Sequence, residues 1–390
     1  MAEPRFSNLI NNYPASGIRK MFDIAEQYDD VIKLTVGEPN FDTPDYVKDA
    51  AKKAIDENYS HYVPNAGLPE LRQAVAKKYE DVFPGITMDN VFISVGALEG
   101  LTLTLLGLIN PGEEVLVPDP CFPNYYGQAM IAGATAIGVP TYKEKEFRIQ
   151  PEDIEAAITP KTTAIILNSP CNPTGAVSTE EEIREIAEIA KKHNLWVITD
   201  EPYDAIVYDG IKPFSIAMIP EMRDSVVLLN SFSKTYAMTG WRVGFIILPD
   251  GYAPKFAQLQ EGMVSCVASF AQKACADALQ SDQCVKDMLV DYTRRRDIVV
   301  EGINAIPGMH CAKPKGSFYA FANIEAFGMT AEEFAIDLVE KARVVVVPGS
   351  AFGKCGEGHL RIVFANSDEN LKEAIKRIAE YVEKYHPDVK

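Results

Sequence analysis

Between about residues 90 and 250, short apolar runs alternate with longer amphipathic segments. The longer segments carry apolar residues at helical spacing; segment 179–193, for example, begins with a threonine followed by glutamates, which is a helix-capping pattern. Strands that alternate with helices form mostly parallel sheets covered by helices, so the pattern predicts an α/β unit. The predicted strands are 91–95, 114–117, 163–167, 195–199, 226–229 and 244–248.

The pattern changes after about residue 285. A long charged helix is followed by fewer, more separated elements: an apolar run at 317–321, a helix over 331–342, strands at 344–347 and 360–363, and a final helix. This predicts a small α+β unit, on which the N-terminal segment is expected to pack. A chain of 390 residues is longer than one core usually spans. We therefore expect a large unit, 45–285, and a small one made of 1–44 and 286–390.

Composition and charge argue against several classes of function. The formal net charge of −17 disfavours a nucleic-acid partner, because affinity for a phosphate backbone comes from lysine and arginine. The seven cysteines are scattered without a Cys-x-x-Cys pair, so neither disulfides nor a metal site is expected. The N-terminus lacks a charged-then-apolar signal, and no apolar stretch reaches the roughly 20 residues of a membrane span. We expect a cytoplasmic protein without a membrane partner.

One lysine lies in a loop suited to binding a phosphate. The run Ser231-Phe232-Ser233-Lys234 follows the predicted strand 226–229, and Arg242 comes shortly after it. Loops at the carboxyl ends of strands face the crevice where open α/β sheets bind ligands, and hydroxyls with a guanidinium can hold a phosphate beside the amine. The pattern favours pyridoxal phosphate on Lys234. The alternative is that the serines cap a turn and the lysine is solvated.

Two other strand ends offer partners for such a cofactor. Asp200 and Tyr203 follow strand 195–199, where a carboxylate can pair with a protonated pyridine nitrogen and a phenol can bond the ring's phenolic oxygen. Asn172 lies in a loop made rigid by two prolines and could donate to the same oxygen. The alternatives are that Asp200 caps a turn and that the loop around Asn172 carries no chemistry.

Further candidates follow two more strands. In Gly96-Ala97-Leu98, small residues open a helix whose first backbone amides could bind phosphate, although a single glycine turn is a weak signal. Phe122 offers a face for stacking on a pyridine ring, and the alternative is that it belongs to the core.

Arg361 lies inside the apolar strand 360–363, where a charge is costly unless it is paired. A substrate α-carboxylate could pair with its guanidinium fork, and a salt bridge to a nearby acid is the alternative. Residues 349–354 look like a nucleotide-binding loop. Their spacing is one residue short of Gly-x4-Gly-Lys, however, and Cys355 stands where serine or threonine is needed, so we do not expect a nucleotide there.

Together these segments resemble the class I and II aminotransferases, the fold-type-I enzymes that depend on pyridoxal 5'-phosphate. The resemblance extends over nearly the whole chain and implies a mostly parallel, seven-stranded sheet in a large domain, a small α+β domain and a homodimer. The motifs stand in the family's order: Gly37-Glu38-Pro39, Tyr62 before Gly67, the Gly96-Ala97 turn, Asn172-Pro173-x-Gly175, Asp200-x-x-Tyr203, Ser231-x-Ser233-Lys234, Arg242 and Leu360-Arg361.

The resemblance also implies roles for these residues. Lys234 would form a Schiff base with the cofactor and move the proton at the substrate's Cα, with Asp200 and Tyr203 assisting. The reaction would be ping-pong, passing the amino group of an L-amino acid to a 2-oxo acid, 2-oxoglutarate. Gly37, Asn172 and Arg361 would bind the substrate carboxylate. The implied cofactor-binding residues are Lys234, Asp200, Tyr203, Asn172, Phe122, Gly96, Ala97, Leu98, Ser231, Ser233, Arg242 and, from the neighbouring subunit, Tyr62.

The amino donor is less constrained. A bacterial-type subgroup of aspartate aminotransferases has a lysine two residues after the glycine of the phosphate turn, where this chain has Leu98. Segments 18–25, 168–177 and 347–354 resemble archaeal aromatic aminotransferases, which favours an aromatic or broad specificity over an aspartate aminotransferase. A pyridoxal-phosphate-dependent C–S β-lyase would share every cofactor residue. A ligand-sensing regulator with an aminotransferase-like domain is disfavoured by the acidic charge balance.

Overall fold

The computed structural model describes residues 5–15 and 17–389. Its strands are β1 Ile32–Lys33, β2 Val91–Ser94, β3 Glu114–Asp119, β4 Thr135–Pro140, β5 Thr162–Leu167, β6 Trp196–Asp200, β7 Val226–Ser231, β8 Gly244–Ile247, β9 His310–Cys311, β10 Tyr319–Asn323, β11 Val344–Val345, β12 Val347–Pro348 and β13 His359–Val363.

Its α-helices are α1 Asn8–Asn12, α2 Gly17–Ala25, α3 Asp45–Asp56, α4 Pro69–Lys78, α5 Gly96–Leu108, α6 Asn124–Ile131, α7 Pro151–Ala157, α8 Glu180–His193, α9 Phe232–Thr235, α10 Ala253–Glu261, α11 Ser269–Ala278, α12 Gln283–Asn304, α13 Ala331–Asp337 and α14 Asp368–Tyr385. A π-helical turn, Leu338–Ala342, extends α13. Within the described residues, no helix is both long and apolar enough to cross a membrane.

A seven-stranded sheet dominates the fold, with strand order β2-β8-β7-β6-β5-β3-β4. The strands from β7 to β4 are mutually parallel, and β8 runs antiparallel to both of its neighbours. The predicted α/β class with a mostly parallel sheet is therefore confirmed. The sequence reading missed β4, an edge strand that pairs only with β3 and whose residues are mostly half-exposed. Exposed positions at Thr135 and Gly138 leave Val139 as its one buried residue, so β4 lacks the continuous buried apolar run by which the others were found.

Local sequence explains why the elements form where they do. The central strand β7 is buried along its whole length, as a strand covered on both faces must be, and the edge strand β2 is equally buried. Helix α8 opens with the capping box that the sequence predicts: the Thr179 side chain accepts from the Glu182 amide, and the Glu182 carboxylate accepts from the Thr179 amide. Buried apolar residues then form cores against both faces of the sheet.

A second sheet has the order β12-β13-β10-β9, and a separate parallel pair joins β1 to β11. The predicted strand 344–347 is divided because its first half pairs with β1 and its second half with β13. These elements share a core distinct from those of the large sheet. The boundaries at residues 44/45 and 285/286 stay a prediction, and residues 1–4, 16 and 390 of the predicted small unit lie outside the described residues.

Candidate active site

A cavity of about 340 Å³ opens at the carboxyl ends of the parallel strands. Strands β5, β6 and β7 end at or just before Asn168, Asp200 and Ser231, and each of these residues lines the cavity. This is the place where open α/β sheets bind their ligands. Of the predicted site residues, those that line it are Gly37, Ala97, Leu98, Phe122, Asn172, Asp200, Tyr203, Ser231, Ser233, Lys234, Arg242 and Arg361.

Lys234 lies on α9, a single helical turn that Ser231 caps through its side-chain oxygen. The Lys234 ammonium donates to the carbonyl of Gly37. Burial lowers the pKa of Lys234 to about 8, with Arg361 and Arg242 adding to the effect and Glu38 and Asp200 opposing it. An amine with this pKa has a far larger neutral fraction near physiological pH than an ordinary lysine, and the neutral form is the one that acts as a nucleophile or a base.

Asp200 ends β6 and is buried, and its carboxylate faces the cavity with one free oxygen. Its Oδ2 accepts from the hydroxyl of Tyr125 at 2.6 Å, while Oδ1 has no hydrogen-bond partner among the described residues. Burial raises the pKa of Asp200 to about 6, and the Tyr125 hydrogen bond and Lys234 act in the opposite direction. A buried carboxylate oxygen without a partner is costly unless a ligand supplies one.

Tyr125 is a site residue that the sequence reading missed. It lies on α6, in the first turn after Phe122, and its ring packs edge-on against Phe122 at 5.7 Å. Asn168, also missed, donates to the backbone carbonyl of Asp200 at 2.8 Å and accepts from the backbone amide of Asn172 at 2.9 Å. Its position directly after β5 was the available signal, because Asp200 had been identified by the same criterion.

Arg361 is 2% exposed and has no carboxylate partner among the described residues. Its guanidinium donates to the Asn172 side-chain oxygen at 2.9 Å and to the Thr35 carbonyl at 2.6 Å, and its Nε has no partner. The proposed alternative, a salt bridge to a nearby acid, is therefore not found in this part of the chain. A buried cation held only by neutral acceptors suits an anionic ligand.

The rings of Tyr319 and Phe352 lie on the Arg361 guanidinium, each with its centroid 4.6 Å away. The Tyr319 hydroxyl also forms a hydrogen bond with the hydroxyl of Tyr203 at 2.6 Å. Because the side-chain oxygen of Asn172 is engaged by Arg361, its amide nitrogen is the end that can donate to a ligand.

Another group of residues that line the cavity can donate hydrogen bonds. Ser231 and Ser233 come from the turn at α9, and the first turn of α5 brings Ala97 and Leu98. Arg242 is exposed, and its guanidinium donates to the Thr239 carbonyl at 2.9 Å. Hydroxyls, a guanidinium and the amino end of a helix together form a site for a phosphate group.

Two predicted site residues do not line the cavity. Gly96 has a positive φ of 70°, and a Cβ there would lie 2.5 Å from the Arg242 guanidinium, so its contribution is to admit that side chain. Tyr62 is 87% exposed, and its predicted contact with a neighbouring subunit's phosphate stays a prediction.

Several apolar residues that were not predicted also line the cavity. Ile18 and Phe22 come from α2, Val36 precedes Gly37, and Leu101 extends the α5 wall beside Leu98. The amphipathic spacing in α2 was visible in the sequence. Nothing in that spacing distinguishes a residue facing a cavity from one facing the core.

These residues fit pyridoxal 5'-phosphate. The unpartnered Oδ1 of Asp200 suits a protonated ring nitrogen, Lys234 supplies an amine for the aldehyde, and the donors around Arg242 suit the phosphate. Phe122 offers an aromatic face beside them.

Comparison with known proteins agrees with this geometry. The family model described as aminotransferase class I and II matches residues 29–378. The chain is 43% identical over 369 residues to aromatic-amino-acid aminotransferase 2 of Thermococcus litoralis, covering 93% of this chain and 94% of that protein. It is also 43% identical to an aspartate aminotransferase of Pyrococcus horikoshii, covering 94% and 95%. The crystal structure of an aromatic aminotransferase from Pyrococcus horikoshii matches with a TM-score of 0.89 at 41% identity, covering 93% of this chain and 99% of that one.

Proposed function

The chain belongs to the class I and II aminotransferases, which depend on pyridoxal phosphate, and we propose that it transfers the amino group of an L-amino acid with an aromatic or other apolar side chain to 2-oxoglutarate. That the protein is a pyridoxal-phosphate-dependent aminotransferase follows from its family. The proposal concerns the donor, the acceptor and the residues that act on them.

The observation that carries the proposed donor class is the apolar wall formed by Ile18, Phe22, Val36, Leu98 and Leu101. Burying an aromatic side chain against such a wall is favourable by about 25 cal/mol for each Å² removed from water. The side-chain carboxylate of aspartate would lose its hydration against this wall and would find no cation there to pair with. Burying an unpaired charge in this way costs on the order of several kcal/mol.

The proposed roles of the substrate-binding and proton-transferring residues follow from their charges and their positions in the cavity. The buried Arg361 fork binds the α-carboxylate of the donor and of the 2-oxo acid in turn, with the amide of Asn172 beside it. Lys234, whose pKa is about 8, takes the proton from the substrate's Cα and returns a proton in the reverse half-reaction. The cofactor, when bound, carries the amino group and withdraws electrons from the Cα that loses its proton.

Other side chains would hold the cofactor. We assign Asp200 to the ring nitrogen, Tyr203 and Asn172 to the phenolic oxygen, and Phe122 to the ring face. The phosphate is assigned to Ser231, Ser233, Arg242 and the amides of Ala97 and Leu98, with Gly96 making room for Arg242.

A panel of amino donors against 2-oxoglutarate tests the donor class. We expect phenylalanine, tyrosine or leucine to exceed aspartate in kcat/KM by at least about tenfold, the factor that corresponds to 1.4 kcal/mol. Leu98→Lys should narrow that ratio by giving a distal carboxylate a cation, and Leu98→Met serves as the control of similar size. Aspartate exceeding the aromatic donors by orders of magnitude would overturn the assignment. Release of pyruvate and ammonia in place of glutamate would instead identify the C–S lyase.

The relatives' names include an aspartate aminotransferase, which makes aspartate the second candidate donor. We also propose a cytoplasmic homodimer without a nucleic-acid partner. The 87% exposure of Tyr62 and the exposure of Met263 and Val264 support an interface on that side of the chain. Light scattering of purified protein should give twice the chain mass of 43.0 kDa, and a monomer would contradict the proposal.

A further inference from the structure

We propose that Asp119 is a positioning residue that sets the affinity of the site for carboxylate substrates, acting through the loop that looked like a nucleotide-binding sequence. That loop, residues 349–356, connects β12 to β13, and β13 carries Arg361. We call it the latch segment. The inference rests on the proposed function of Arg361 as the carboxylate-binding group.

The Asp119 carboxylate accepts two backbone hydrogen bonds from the latch segment. Asp119 ends β3 in the large sheet and is 8% exposed. Its Oδ1 accepts from the amide of Cys355 at 3.0 Å, and its Oδ2 accepts from the amide of Lys354 at 3.2 Å. A third bond runs from the amide of Cys121 to the carbonyl of Phe352 at 2.8 Å. An ionised carboxylate accepts through both of its oxygens and donates through neither, so each oxygen can take one of the two amide N–H groups.

A glycine in the latch segment is required by this contact. Gly353 has φ 141° and ψ 172°, a conformation essentially restricted to glycine. A Cβ on Gly353 would lie 2.1 Å from Oδ1 of Asp119. Both the backbone geometry and the space therefore exclude any larger residue while the carboxylate stays in place.

The two latch residues before Gly353, Ala351 and Phe352, contact parts of the substrate site. The Phe352 ring is 1% exposed and lies 4.6 Å from the Arg361 guanidinium, covering one face of it. On the other side, Ala351 packs against Gly17 so closely that a Cβ on Gly17 would lie 2.6 Å from that of Ala351. Gly17 begins α2, the helix that brings Ile18 and Phe22 to the cavity. The Asp119 carboxylate thus accepts two of the three hydrogen bonds named above, which hold a segment that contacts both the arginine and the apolar wall.

The backbone of Asp119 is secured independently of its carboxylate. Its carbonyl accepts from the amide and the hydroxyl of Thr141, at 2.9 and 3.0 Å. Removing the negative charge should therefore loosen the latch segment, which keeps its backbone bond to Cys121, and leave β3, which leads to Phe122, in position. We infer that the change appears in carboxylate binding and leaves cofactor binding intact.

The test uses the cofactor-loaded enzyme and each half-reaction separately, with the best donor and the best 2-oxo acid of the panel above. Asp119→Asn keeps the shape but turns an NH₂ toward one latch amide. Gly353→Ala disrupts the same contact by placing a methyl group where the Asp119 carboxylate lies. For both variants, we expect the apparent Kd of donor and of acceptor to rise about tenfold, as loss of a hydrogen bond to a charged group implies, with limiting rates and cofactor Kd changed less than about twofold.

The controls separate this effect from general damage. Asp81→Asn removes an exposed carboxylate, and Gly112→Ala places a side chain at a positive φ of 89° with nothing within 4 Å, so neither should change the apparent Kd values. The double variant Asp119→Asn/Gly353→Ala should resemble the more severe single variant, because both act on one contact.

Two results would overturn the inference: unchanged apparent Kd values, or a fall in limiting rate or cofactor affinity as large as the change in Kd. An Arg361→Lys arm distinguishes the two proposals. If Arg361→Lys leaves the apparent Kd values unchanged, the carboxylate assignment fails. If Arg361→Lys raises the apparent Kd values and Asp119→Asn does not, only the proposal for Asp119 and the latch segment fails.

Discussion

Removing the Tyr125 hydroxyl should move the pH dependence of cofactor binding to a higher pH than in the wild-type protein. The hydroxyl donates to Asp200 Oδ2 at 2.6 Å, and the other carboxylate oxygen has no partner among the described residues. Tyr125→Phe would leave a buried carboxylate without its side-chain donor, which destabilises the ionised form.

The size of the effect follows from the geometry. A hydrogen bond to a charged acceptor contributes about 1.5 to 3 kcal/mol, and about 1.4 kcal/mol corresponds to one pKa unit. The pKa of Asp200, about 6 in the wild-type protein, should therefore rise to roughly 7 to 8 in the variant. If the ionised carboxylate is what pairs with the ring nitrogen, cofactor affinity should fall about two- to tenfold at pH 7 and recover almost fully by pH 9.

Titration of cofactor-free protein with pyridoxal phosphate, followed by visible absorbance from pH 6 to 9, measures this directly. The ratio of variant to wild-type Kd at each pH cancels the titration of Lys234, which both proteins share. Tyr126→Phe is the matched control, because Tyr126 is the next residue and its hydroxyl lies against Gly138. A Kd ratio that stays constant across the pH range would refute the reasoning, since lost packing does not titrate.

Three further predictions follow from the same site. The neutral amine reacts with an aldehyde, so pyridoxal phosphate should bind cofactor-free protein faster as pH rises through about 8, the pKa of Lys234; a rate flat from pH 7 to 9 in stopped-flow absorbance would contradict this. Gly96→Ala should raise the cofactor Kd at least about tenfold, because its Cβ would meet the Arg242 guanidinium. The control Gly240→Ala, whose Cβ would have nothing within 4 Å, should bind the cofactor like the wild-type protein, and equal Kd values for the two variants would count against the phosphate assignment. Burial raises the pKa of Asp200 above its unfolded value, so its contribution to stability is present below about pH 4 and is lost, by up to about 3 kcal/mol, as pH rises through about 6. The free energy of unfolding in urea should therefore depend less on pH in cofactor-free Asp200→Asn than in the wild-type protein. An unchanged pH dependence would be inconsistent with that pKa.

Sequence alone indicated several cavity residues that follow strands, although it missed Asn168. Asn172, Asp200 and Lys234 each come soon after an apolar run, and the carboxyl ends of parallel strands meet along one edge of a sheet. Local pattern therefore predicted that distant motifs would converge. Arg361 could be identified for a different local reason, since a charge inside an apolar strand requires a partner. The half-exposed edge strand β4 was missed because its residues carry no comparable apolar run.

Only the tertiary structure decided the contacts that tune those residues. Tyr125 and Asp200 are 75 positions apart, and Arg361 reaches a carbonyl 326 positions away, so no local pattern encodes either pair. The same holds for Asp119 and Gly353, whose loop was interpreted in the sequence only as a failed nucleotide motif. Periodicity indicates which face of an element is apolar but not which neighbour covers it. The sequence thus determined the chemistry available at each strand end, and packing determined the pKa values, the apolar wall and the support of the arginine.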